Sequence, residues 1–440
     1  MFHGRSERRL RHGSTEVTGR PAALRRDMGL LDATGVGLGA IIGAGLLVVT
    51  GVAAGVAGPA LLLSLLLAAA AAACNALSSA QLAARYPRSG GTYEYGYLLL
   101  NPWLGFAAGW MFLVSKLAAG GVVALGFAEY LAALAPGIPA RPAAVGAVLV
   151  LTVLNYFGIR RTGRVNLVIV TVSLAALLYF VAAGLPSLQI GHFTPFAPEG
   201  GEGILRAAAL LFFAYTGYAR VATLGEDVHD PERTIPRAIL ASLGIATLLY
   251  VSVATVALGA VGAPALARTG SPLEEAAASF GVLGAGLAIA VGGVSAMLGV
   301  LLSQILGISR AMLAMARRSD LPPFLGHVDS RHAVPGRDVV LTGCLIAVLA
   351  LTGPLERILS AASFSILVYY AITNMAALRL TGTDRRYPRV ISVAGLFLCI
   401  TLCLALEPGT ILTGSVLVTA GFAYRGVFRW VRSRPADPSQ

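Results

Sequence analysis

Charge is the scarcest property of this chain. Of its 440 residues only 12% are charged, while 56% are hydrophobic, and the mean hydropathy is +0.77. A soluble domain carries about 25% charged residues, so a soluble fold is excluded and an all-α polytopic membrane protein is expected. Lysine is nearly absent: Lys116 is the only one in the chain. Cysteine is sparse too. Cys74, Cys344, Cys399 and Cys403 lie inside apolar runs without metal-ligand spacing, and they are expected to be small buried hydrophobes. There is no GxxxxGK[ST] phosphate loop, so the chain is not expected to hydrolyse ATP. His192, His229, His327 and His332 fall in loops, which leaves no catalytic or metal constellation at membrane depth. No enzyme activity and no cofactor is expected. A ring of acidic groups or a repeated filter, as an ion channel requires, is missing as well. The first 26 residues are polar and basic and lack an apolar h-region, so no cleavable signal peptide is expected.

What the chain has is apolar runs, each near the ~20 residues a crossing helix needs. They run from 32 to 57, 60 to 84, 104 to 134, 143 to 157, 165 to 183 and 204 to 225. Further runs cover 238 to 261, 280 to 316, 339 to 351, 358 to 378, 390 to 406 and 411 to 428. About twelve spans are expected, with polar loops at 85–103 and 185–203. A basic tail, 1–27, precedes a transmembrane domain over 28–431, and 432–440 forms a second tail. Arginines fill the termini, with Arg425, Arg429, Arg432 and Arg434 closing the chain, and every even-numbered connection. The opposite loops hold only Arg141, Arg206, Arg268 and Arg357. The positive-inside rule then places both termini in the cytoplasm, as in a multi-pass protein of the cell membrane. The net charge of +12 fits arginine-rich loops against anionic lipid, with no nucleic acid as partner.

Two of the runs are broken. Thr34 to Thr50 reads TGVGLGAIIGAGLLVVT, with Gly35, Gly37, Gly39, Gly43 and Gly45. Each glycine in a helix interior costs about 1 kcal/mol relative to alanine. An unwound backbone at membrane depth needs protein or a polar ligand to satisfy its freed groups. Close helix packing is the competing explanation, since Gly35 and Gly39 have the small-xxx-small spacing of membrane helix contacts. The sixth run carries Ala214-Tyr215-Thr216-Gly217-Tyr218 at its centre. Interrupted segments at matching places in two halves are the sequence mark of a transporter site. Half-helix N-termini offer unpaired N–H groups to a carboxylate, and unwound carbonyls suit an ammonium. An α-amino acid carries both charges on one carbon.

Three stretches carry a resemblance over essentially the whole chain: GLGAIIGAGLL (37–47), YPRSGGTYEY (86–95) and FFAYTGYARVATLGEDVHDPERTIPRAI (212–239). They resemble the amino acid–polyamine–organocation (APC) superfamily. The resemblance implies a LeuT-type fold: two inverted five-helix repeats, here 32–184 and 204–378, plus two C-terminal helices over 389–431. It implies a secondary transporter of an α-amino acid, a permease working as symporter or antiporter. On that pattern Ile41, Gly43, Ala44 and Gly45 hold the substrate carboxylate. Phe213, Ala214 and Thr216 hold the amino group and face the side chain. Ala44, Phe213, Ala214 and Thr216 include no carboxylate, which favours a neutral or small apolar substrate. A cationic amino acid or polyamine is the alternative.

The sequence departs from the family pattern at three places. Ala219 and Arg220 follow the aromatic where many relatives have an acid. Ser173, in VTVSLAAL (170–177), stands where some proton-coupled relatives have a lysine. Lys116, in WMFLVSKLAAGG (110–121), stands in mid-span where relatives are usually neutral. A buried cation costs at least about 2.5–3.5 kcal/mol on insertion scales, and a lysine, unlike an arginine, can shed its proton. Lys116 is therefore expected to couple transport to protons, with sodium at Ser173 as the alternative; snorkelling to an interface is the structural explanation. Ser295 and Ser303 are read as packing serines that could line a cation site. Glu226 and Asp227 are expected to anchor the cytoplasmic end of the sixth span.

Overall fold

The computed structural model describes residues 28–86, 90–157, 162–222, 228–329 and 334–433. The basic tail over 1–27, Arg88, the Glu226–Asp227 anchor and residues 434–440 lie outside the described residues. Among the described residues there is no strand; a single parallel bridge joins Met28 to Val228. Hydrocarbon offers no partner for a backbone N–H or C=O, so helices must satisfy their own. Among the described residues seven helices are long and apolar enough to cross a membrane, and three shorter apolar helices, Leu30–Ile41, Ala140–Tyr156 and Arg389–Leu404, accompany them. The protein is a polytopic, all-helical membrane protein.

The helices are α1 (Leu30–Ile41), α2 (Ala44–Leu47), α3 (Val49–Ala57), α4 (Leu61–Arg85), α5 (Thr92–Leu99) and α6 (Pro102–Leu134). Then come α7 (Ala140–Tyr156), α8 (Thr162–Gly184), α9 (Gly200–Tyr215), α10 (Ala219–Ala222), α11 (Pro231–Leu266) and α12 (Pro272–Ala278). The last are α13 (Ala285–Arg317), α14 (Gly336–Thr352), α15 (Leu355–Leu378), α16 (Arg389–Leu404) and α17 (Pro408–Ser433). Local chemistry sets several ends. The Asn101 side chain accepts from the N–H groups of Trp103 and Leu104 at 3.0 and 2.9 Å, and Pro102 follows it, so α6 starts on an N-cap with proline in its first turn. Gly262, at φ 77°, bends α11 just before Pro264.

Two groups of helices pack side by side. The segments α1–α4, α9, α10 and α11 contact one another, as do α6, α7, α8, α13 and α14; α15 joins α6 to α16. The most buried spans are α6 and α15, with 78% and 72% of their apolar windows inside the protein, against 17% for α17. Lipid-facing α17 is thus peripheral and α6 and α15 are central. Polar side chains pin helices together: Asn374 Nδ2 donates to Asn75 Oδ1 at 2.6 Å, and the Ser78 and Ser392 hydroxyls lie 2.9 Å apart.

Four details differ from the sequence reading. The loop over 85–103 contains α5, which enters through Gly90 and Gly91 at φ 123° and 56° and buries Tyr93 and Tyr95. A second unexpected short helix, α12, precedes α13, whose helix starts at Ala285 rather than at 280. Of the cysteines expected to be buried, Cys399 is, Cys74 and Cys403 are half-buried, and Cys344 is exposed on α14. Finally, Arg425 does not belong with the arginines of the closing tail. Its side chain is 1% exposed and pairs with Asp320, itself 2% exposed, at 2.9 Å. Tyr93 and Tyr97 on α5 both donate to Asp320, at 2.6 and 2.5 Å. Burial, and then the bond to Asp320, push Tyr97 up to about 12, so it stays a donor at any physiological pH.

Candidate functional site

Helix α1 ends because its chain turns extended at Ile42 (φ −70°, ψ 113°), whose N–H still reaches back to Leu38. A new turn begins at Gly43, whose carbonyl accepts from Leu46 and Leu47 at 3.2 and 3.3 Å. A second irregularity at Val48 separates α2 from α3. The first span is therefore three short helices in line, broken at Ile42–Gly43. The sixth span tightens rather than opens. Tyr215 ends α9, Thr216–Tyr218 forms one 3₁₀ turn, and α10 continues from Ala219. Bonds from residue i to i+3 keep that backbone satisfied. The Thr216 hydroxyl donates to the Phe213 carbonyl at 2.9 Å, inside its own turn.

The two interruptions meet. A Cβ at Gly45 would fall 2.6 Å from Ala214 Cβ and against its Cα; one at Gly217 would fall 2.6 Å from the Ile41 N and against the Ala40 carbonyl. Ascending numbers on one segment thus face descending numbers on the other, so the segments cross antiparallel, backbone on backbone. Ile41, Gly43, Gly45, Phe213, Ala214 and Thr216 are all buried around this crossing, and Ala44 opens α2 within it. The other glycines serve neighbouring helices: Gly39 meets Val170 of α8, and Gly43 meets Val300 of α13. Gly35, the other member of the small-xxx-small pair, has nothing within 4 Å.

Two tyrosines that the sequence reading passed over supply what the breaks release. The Tyr250 hydroxyl, from α11, donates to the Ile41 carbonyl at 2.8 Å and lies 3.3 Å from that of Ala214. The Tyr130 hydroxyl, from α6, donates to the Leu47 carbonyl at 2.8 Å and accepts from the Leu273 N–H of α12 at 3.4 Å. Both rings are 0% exposed. A tyrosine deep in an apolar run needs a partner for its hydroxyl, and that is the signal by which either was recognisable.

The coupling candidates lie on different helices, Ser173 on α8 and Lys116 on α6. Ser173 donates to Ile169 at 2.8 Å and to Gly292 of α13 at 3.3 Å, and it lies among Ile42, Leu47, Ala176 and Ile289 beside the first break. Lys116 is half-buried on α6. Its Nζ lies 5.8 Å from the centre of the Phe112 ring, and its carbonyl accepts from Gln304 of α13 at 2.7 Å. Ser303 donates within its own helix to Val300 at 2.9 Å. The side chain of Arg220 is outside the described residues.

The amino acid permease family model matches residues 28–425. An uncharacterized transporter of Mycobacterium tuberculosis is 43% identical over 426 residues, covering 95% of each chain. The branched-chain amino acid permease BcaP of Bacillus subtilis is 30% identical over 393 residues, 85% of this chain and 84% of that one. The methylthioribose transporter of Bacillus subtilis is 32% identical over 348 residues, 74% of this chain and 75% of that one.

Proposed function

Since the chain belongs to the amino acid permease family, we propose that it is a secondary active transporter of a neutral or small apolar α-amino acid, working by alternating access in the cytoplasmic membrane. The observation that carries this is the buried antiparallel crossing of two interrupted helices. It supports two inverted five-helix repeats over 32–184 and 204–378. The apolar runs and the arginine bias support two more helices over 389–431, about twelve spans in all, and both termini in the cytoplasm. Ile41, Gly43, Ala44 and Gly45 receive the carboxylate: the N–H groups of Ala44 and Gly45, the first of α2, have no partner within their own helix, and Ile41 and Gly43 flank the break that frees them. Phe213, Ala214 and Thr216 receive the ammonium and set the room for the side chain. No carboxylate stands among these residues to pair a cationic side chain, which disfavours a cationic amino acid or polyamine.

Protons drive the cycle in this proposal, with Lys116 as the carrier. The position of Ser173 beside the first break supports the rival, a sodium ion held there. The relative named for methylthioribose supports a second reading, a neutral thioether sugar in the same site. Uptake into liposomes tests both. The purified protein is offered labelled leucine, alanine or methylthioribose, with and without an inward pH gradient. Saturable, gradient-driven uptake of an amino acid is the expected result. Uptake of the sugar alone would overturn the amino acid reading.

A further inference from the structure

Three helices converge on one hydroxyl. Tyr250 lies in mid-α11, 0% exposed, with its ring 5.2 Å from that of Tyr215 at an interplanar angle of 47°. Burial and this ring contact hold the hydroxyl in place. Its one proton is shared between two carbonyls, Ile41 at 2.8 Å and Ala214 at 3.3 Å. Those carbonyls belong to different spans. Ile41 ends α1, and the N–H that would continue its helix has moved into α2; Ala214 is where α9 tightens into its 3₁₀ turn. The two backbones also touch directly on either side of these residues, at Gly45 against Ala214 and at Gly217 against Ala40 and Ile41. Tyr250 thus closes a clamp whose jaws are the two interruptions.

We propose that Tyr250 is a positioning residue: its hydroxyl sets the spacing between the two broken segments, so that one segment meets the carboxylate and the other the ammonium of the same substrate. This rests on the transport reading above. The physical need is plain. A zwitterion holds its two charges a fixed distance apart, so a site that reads each charge with a different helix works only if those helices keep register. Glycine contacts fix how near the segments come; they resist compression but not separation. The shared hydrogen bond resists separation. Phenylalanine at this position would keep the ring and its packing against Tyr215. It would leave two buried carbonyls without that donor, which favours their drifting apart.

The test uses the full-length protein, Tyr250→Phe, and Tyr215→Phe as a control whose hydroxyl bonds neither carbonyl. Amide hydrogen exchange is measured first, without substrate. Loss of one net hydrogen bond predicts about fivefold faster exchange in Tyr250→Phe, in the segments 39–47 and 212–219 together. The control is expected to leave both segments as in the wild type. Exchange unchanged, or changed in one segment only, would overturn the clamp. Uptake kinetics follow. The proposal predicts an apparent KM raised about fivefold with Vmax kept within a factor of two. A fall in Vmax at constant KM would mark the hydroxyl as structural and overturn the positioning role. Exchange needs no substrate, so it decides on the clamp even where the wild type imports no amino acid, a result that counts against the transport reading.

Discussion

At the scale of single residues, the glycines of the two broken spans divide by what stands where their Cβ would be. Gly217 and Gly45 have backbone there, which cannot swing aside. Gly43 has the end of the Val300 side chain at 2.9 Å, which can turn, and Gly35 has open space. Gly45→Ala and Gly217→Ala are therefore expected to abolish uptake and to lower stability by about 1–3 kcal/mol, the usual cost of overpacking. Gly35→Ala should keep full uptake and gain up to about 1 kcal/mol from helix propensity. Thermal denaturation and uptake of the three variants check this; equal behaviour of all three would refute it. The sequence made it legible that this stretch breaks. It did not show which glycine faces what, because each partner lies on a helix remote in the chain: Ala214 for Gly45, Val170 for Gly39. Tyr250 and Tyr130 were hidden for the same reason, since a single tyrosine in an apolar run shows no spacing or motif.

At the scale of elements, α5, α13 and α17 are joined by a buried charge network. Asp320, just past the end of α13, accepts from Tyr93 and Tyr97 and pairs with Arg425, whose guanidinium lies 4.8 Å from the centre of the Phe106 ring. Nearer the surface, Arg318 pairs with Glu94 at 2.5 Å. Removing one member of a buried ion pair strands the other, at a cost of about 3–5 kcal/mol. Asp320→Asn and Arg425→Met are each expected to destabilise by that order. The double variant should lose less than the sum of the two, because neither charge is then left alone. Additive losses in thermal or chemical denaturation would show that the pair is not coupled. Sequence reading placed nearly every long helix correctly, because twenty apolar residues admit little else. It missed α5 and α12, which are too short to show a periodic stripe. It also placed Arg425 by count among cytoplasmic arginines, where only the fold reveals an acid waiting for it.

At the scale of the whole molecule, two packed groups of helices surround the crossing, one carrying α1–α4 and α9–α11, the other α6–α8, α13 and α14. Alternating access needs such groups to move against each other about a fixed site. Lys116 belongs to the second group and Ile41 to the first, so a proton carried by Lys116 would couple movement between them. Lys116→Met is expected to remove the pH dependence of uptake and slow it at least tenfold, a loss of about 1.4 kcal/mol or more, with sodium without effect on the wild type. Sodium-stimulated uptake that survives Lys116→Met would instead assign coupling to Ser173. That the first and sixth runs are both interrupted was legible in the sequence. The kind of interruption was not: a glycine-rich break and a 3₁₀ turn share the same composition of small and polar residues. The central claim, that the crossing reads both charges of an α-amino acid, is tested most directly by competition. Labelled leucine uptake into liposomes is challenged with leucine, N-acetyl-leucine and leucine methyl ester. The account predicts that leucine competes and that neither derivative does. Equal competition by either derivative would contradict it.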